Sequence, residues 1–173
     1  MKRKISTKQL TMMSLLIALV VVLSNILSIE TQFLKLTLEF IPKMMMGLLF
    51  GPFWTGMGLV VADVIGNTMF AKAPFFIGFT LNKLIEGLIY GYFFYGKKVT
   101  LKNICASTVC VTGLISLCMT PIWLAVMYQV PLTSSVIWLP RIIKAIVTMP
   151  IQIIIIYSFA NVMPLNLLRK NHI

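Results

Sequence analysis

Six apolar runs, at about 10–29, 38–51, 53–71, 75–95, 104–128 and 135–163, leave little of the chain for anything else. In hydrocarbon a chain must satisfy every backbone N–H and C=O internally, so runs of about 20 such residues are read as membrane-spanning helices. The second run is short for a span and is expected to be tilted, tightly packed or only partly spanning. Composition agrees: 59% of the 173 residues are hydrophobic, 11% are charged, and mean hydropathy is +0.96. Soluble domains carry about 25% charged residues. The expectation is an all-α integral membrane protein, a six-transmembrane-helix bundle forming one domain over residues 1–173.

A net charge of +11 invites a nucleic-acid reading, but the basic residues lie in the wrong places for one. Lys2, Arg3, Lys4, Lys8, Lys97, Lys98, Lys102, Arg169 and Lys170 sit at the expected membrane borders. That is the positive-inside pattern of a polytopic protein. An even number of spans then puts both termini and the 97–102 loop in the cytoplasm, with the uncharged 129–134 loop outside. Lys2-Arg3-Lys4 ahead of an apolar run resembles a signal peptide, but no small-x-small cleavage signature follows at Ser24-Asn-Ile-Leu-Ser, so the run reads as a retained span. Cys105, Cys110 and Cys118 show neither metal spacing nor a paired framework and read as small apolar filler.

Charges inside the apolar runs carry most of the functional signal. Arg141 and Lys144 lie in the last run, and a cation at that depth costs about 2.5–3.5 kcal/mol on insertion scales. Spaced i, i+3, they project from one helix face and mark a site for something negative. Lys83 and Glu86, also i, i+3, read as a self-neutralising pair. Asp63 has no local partner and is expected to meet a basic residue from another helix. Glu30, Lys35, Glu39 and Lys43 fall around the first outside loop, which reads as a connector or a lid. Small-xxx-small steps at Ser14/Ala18, Gly47/Gly51, Gly58/Ala62 and Gly87/Gly91 allow close backbone approach in lipid.

Catalytic signals are thin. The single histidine, His172, lies in the tail, and no zinc-protease, nucleophile-elbow or phosphate-loop motif occurs. No filter sequence supports a pore, and neither a cofactor nor a metal site is indicated. Buried charges with aromatics such as Trp123, Trp138, Phe75, Phe76, Phe79 and Tyr90 suit a planar, partly anionic small molecule.

Phe33-Leu-Lys-Leu, Leu49-Phe-Gly-Pro-Phe-Trp, Ala62-Asp-Val-Ile-Gly and Gly78-Phe-Thr-Leu-Asn open a series of motifs. It continues with Gly87-Leu-Ile-Tyr-Gly, Pro121-Ile-Trp-Leu, Leu139-Pro-Arg-Ile-Ile-Lys and Met149-Pro-Ile-Gln. In order and spacing this series resembles the substrate-binding S components of energy-coupling factor (ECF) vitamin transporters, in particular the folate-family branch. The resemblance covers nearly the whole chain. It implies a six-helix bundle in a prokaryotic cell membrane that binds a vitamin near its outer face and has no ATPase activity of its own. It also implies partners: a transmembrane coupling protein and two ATPase subunits. Arg141 and Lys144 become substrate contacts, Trp123, Phe79 and Thr80 pocket lining, and Ser14 with Ala18 the step that docks on the coupling protein.

The chain also departs from that pattern. Asn25 stands where an Arg is expected in folate binders, Glu30 adds an acid in the following loop, Phe76-Ile-Gly lacks an expected Pro, and Asn82-Lys-Leu-Ile-Glu brings charges where relatives look neutral. Folate leads as the ligand, with cobalamin, a cobinamide-like compound or another vitamin as the alternative. From another class, a small membrane enzyme or sensor would use Asp63, Lys83 and Glu86.

Overall fold

The computed structural model describes residues 7–30, 35–70, 75–129, 131 and 135–162. Its helices are α1 (Thr7–Asn25), α2 (Phe40–Phe70), α3 (Ile77–Phe94), α4 (Leu101–Val111), α5 (Thr120–Tyr128) and α6 (Ser135–Val162). A π-helical turn, Thr112–Met119, joins α4 to α5. Two-residue strands β1 (Ile29–Glu30) and β2 (Lys35–Leu36) pair antiparallel between α1 and α2, with Ile29 opposite Leu36. Among the described residues, Thr7–Asn25, Phe40–Phe70, Leu101–Tyr128 and Arg141–Asn161 are long and apolar enough to cross a membrane.

The second and third apolar runs emerge as one helix broken in the middle. Gly51 adopts φ 80 and ψ 177 inside α2, a conformation that a side-chain-bearing residue adopts only under strain, and Pro52 follows it. The short second run is therefore the first arm of a kinked element. The fifth run is likewise continuous helix over Leu101–Tyr128, widened by the π turn, where Thr120 Oγ1 donates to Ile115 O at 2.6 Å.

α2 and α3 pack most extensively, and glycine makes that possible. A Cβ on Gly87 would lie 2.6 Å from Gly56 Cα, and one on Gly91 would collide with Pro52 Cα. The Gly87/Gly91 step thus lets one backbone rest on the other, the packing expected where lipid supplies no hydrophobic drive between helices. Two apolar clusters fill the bundle. Phe40, Met44, Leu48, Tyr90, Phe94, Ile104 and Ile156 join the first arm of α2 to α3, α4 and α6. Met13, Leu16, Val20 and Val21 seat α1 against Met46, Leu59 and Ala62. The outer surface is apolar too, with Leu15 69% and Ile146 68% exposed. A surface of that kind belongs in lipid.

Candidate binding cavity

The site is built where the start of α2 faces α3, α6 and the π turn. Glu39 immediately precedes α2, and Lys43 lies one turn inside it at 1% exposure. Lys43 Nζ reaches Glu39 Oε1 at 2.8 Å and Glu86 Oε1 at 2.7 Å. Lys83 Nζ reaches Glu39 Oε1 at 3.0 Å and Glu86 Oε2 at 3.7 Å. Four side chains, from α3 and from the first turn of α2 with the residue before it, thus form a largely buried square of alternating sign, Lys83 being the most exposed. Each ammonium meets both carboxylates, the arrangement that makes burying such charges tolerable. Burial alone would raise the Glu39 carboxyl, but the Lys43 and Lys83 ammoniums outweigh it and hold it well below the usual carboxylate range.

Beside the square opens a cavity of about 220 Å³. Arg141, Lys144, Thr148 and Gln152 line it from α6, and Thr112, Ser116 and Thr120 from the π turn and its end. Thr37, just beyond β2, also lines it, so the β1–β2 hairpin stands at this end of the molecule. All four members of the ionic square face the cavity. Its described lining therefore carries four cations against two carboxylates, a surplus of two positive charges. Among the described residues Arg141 Nε and Thr148 Oγ1 are buried there without a hydrogen-bond partner, whereas Gln152 Nε2 donates to Tyr90 OH at 3.0 Å. A buried polar atom left unmatched is unusual enough to require an explanation, and a ligand acceptor supplies one.

Of the residues singled out from sequence, Arg141 and Lys144 come together on the cavity wall. Phe79, Thr80 and Trp123 do not line it among the described residues; they form an adjoining group. Phe76 packs on Phe79 and Trp123 with ring centroids 5.8 and 5.9 Å apart. Trp123 Nε1 donates to Asn82 Oδ1 at 3.0 Å, and Asn82 Nδ2 to Thr120 Oγ1 at 3.3 Å, which ties this group to the cavity edge. Thr80 Oγ1 donates to Asp63 Oδ2 at 2.8 Å, and among the described residues no cation comes within ion-pair distance of Asp63. Lys83 and Glu86 are not a closed pair: their 3.7 Å contact is the longest in the square. Lys43, expected near the outside loop, is buried within α2. The square was missed because its two halves lie 43 residues apart in the chain. Its signal was two short-spaced charge pairs, each in greasy surroundings. Asn25, where an Arg was expected, lines a second cavity of about 70 Å³ with Asp63 and Asn67, which shares Glu39 and Lys83 with the larger one. Ser14 and Ala18 lie on the exposed face of α1, opposite its buried Met13, Leu16 and Val20.

A family model described as "ECF transporter, substrate-specific component" matches residues 8–159. The chain is 36% identical over 146 residues to the folate transporter FolT of Clostridium novyi (strain NT), covering 84% of each. It is 31% identical over 163 residues to FolT of Leuconostoc mesenteroides subsp. mesenteroides, covering 91% of this chain and 87% of that one. A crystal structure of FolT bound with folic acid aligns with a TM-score of 0.87 at 46% identity, covering 91% of this chain and 95% of that one. Sequence and fold agree over nearly the whole length: the chain belongs to the substrate-specific (S) components of ECF transporters.

Proposed function

We propose that the chain is the folate-binding S component of an ECF-type importer. The observation that carries this reading is the surplus of two cations on the described cavity wall, with Arg141 Nε among them unmatched by any described residue. Folate carries two carboxylates on its glutamate tail. A guanidinium holds one bidentately and an ammonium holds the other as a point charge. Arg141 and Lys144 take these roles, and Phe79 and Trp123, next to the cavity edge, offer the face on which the pteridine stacks, with Thr80 beside them. A cationic cobinamide would meet like charge on this wall.

The same reading places the chain in a prokaryotic cell membrane as a single substrate-binding domain. It has six membrane segments when the two arms of α2 are counted separately, and both termini lie in the cytoplasm. The basic 97–102 loop and the uncharged 129–134 loop support that orientation. Transport then requires a transmembrane coupling protein and two ATPases, because the S component supplies binding and no hydrolysis. The test is a titration of the purified protein in detergent with folate and cobalamin side by side. Tight folate binding with no response to cobalamin is the expected result; the reverse would show the scaffold refitted to another vitamin.

A further inference from the structure

The cations around the cavity are of two kinds. Lys43 and Lys83 are each shared between Glu39 and Glu86, at 2.7 and 2.8 Å for Lys43 and 3.0 and 3.7 Å for Lys83. Among the described residues no ion pair reaches Arg141 or Lys144, though both line the same cavity as the square. The charge that a ligand meets is therefore fixed by residues that need not touch it. We propose that Glu39 and Glu86 are specificity determinants: by neutralising Lys43 and Lys83 they limit the site to ligands carrying two carboxylates, in preference to one or three. Among the described residues of the cavity, a third carboxylate could meet a cation only by drawing Lys43 or Lys83 off its glutamates. That would strand a carboxylate in a buried position, a larger penalty than the net worth of the pair. A ligand with one carboxylate would leave Arg141 or Lys144 buried and unmatched.

This inference rests on the folate reading and is tested with a ligand series on one scaffold: pteroate with one carboxylate, folate with two and pteroyldiglutamate with three. For the wild-type protein in detergent, affinity is expected to peak at folate, by about tenfold or more over either neighbour, the worth of one charge-assisted contact. Glu39→Gln keeps the shape of the side chain and releases one positive charge. It is expected to raise the ratio of pteroyldiglutamate to folate affinity by about tenfold. Glu86→Gln should shift the ratio in the same direction and serves if Glu39→Gln does not fold. A merely structural square would lower the melting temperature of these variants and leave the ratio unchanged; that result overturns the inference. So does a wild-type protein that binds folate without discriminating among the three, while the folate reading stands. Failure to bind any of the three overturns the folate reading and this inference with it.

Discussion

Arg141 is the side chain on which the binding argument turns. Among the described residues its Nε is buried without a partner, and in the proposed function its place on the cavity wall offers a ligand carboxylate a bidentate donor. Arg141→Ala is expected to weaken folate binding by about 2–5 kcal/mol while thermal stability in detergent stays near wild type. Isothermal titration and a melting curve on the same sample separate the two; equal losses in both would mark a structural role instead of a clamp. Trp123 makes a different demand. Its ring packs against Phe76 and its Nε1 is anchored on Asn82, which is 5% exposed. Trp123→Phe keeps a stacking face but strands the Asn82 acceptor, and should cost about 1 kcal/mol of stability with little change in affinity. Trp123→Ala removes the face as well and should cost about 1–3 kcal/mol of binding, the range for stacking a heterocycle on an aromatic ring. If the two substitutions weakened folate equally, stacking would be excluded. Arg141 and Lys144 were legible in the sequence because a charge in an apolar run stands out without any knowledge of the fold. The Glu39–Lys43–Lys83–Glu86 square was not, since Glu39 and Lys43 border a loop and pass for surface charges until α3 is brought against them.

At the scale of elements, the packing of α2 on α3 brings Lys43 to Lys83 and Glu86 at the cavity wall. The crossing depends on absent side chains. A methyl at Gly91 would be driven into the backbone of Pro52, which cannot give way as a flexible side chain would. At Gly113, in the π turn, an added methyl meets nothing within 4 Å. Gly91→Ala is therefore expected to cost about 1–3 kcal/mol or more through overpacking. Gly113→Ala, at an open helical position, should be neutral or slightly stabilising. Melting temperatures of the two purified variants check the contrast, and similar values would refute the close-crossing account. The small-residue steps were readable from spacing alone, as was the shortness of the second apolar run. Its cause was not: Gly51-Pro52 reads equally well as a loop between two helices or as a kink within one, and only packing on α3 decides. The π turn left no mark either, because it amounts to one extra residue in a helical turn within a continuous apolar run.

At the scale of the whole molecule, the proposed ligand site and the proposed docking step fall on different surfaces. The cavity lies between the start of α2, α3, α6 and the π turn, whereas Ser14 and Ala18 face outward from α1. Ser14 Oγ donates back to Leu10 O at 3.0 Å, which satisfies the hydroxyl within its own helix and leaves a small, smooth step. Around it Leu15 and Leu19 are exposed, while Leu16 and Val20 on the other side hold α1 to the bundle. A face of that kind lets a second backbone approach closely, as small-xxx-small steps do in lipid. Filling the step should then separate the two functions. Ala18→Trp points away from the core, so folate affinity and melting temperature are expected to match wild type. Copurification with the coupling protein and ATPases, and folate uptake by reconstituted vesicles, should fall by at least about tenfold, since a ring at a backbone contact holds the helices apart. If Ala18→Trp left assembly and uptake intact, docking would have to use another face of the bundle. A loss of folate binding in the isolated variant would instead mean that α1 is coupled to the cavity through its packing on Leu59 and Ala62, and that the two surfaces are not independent.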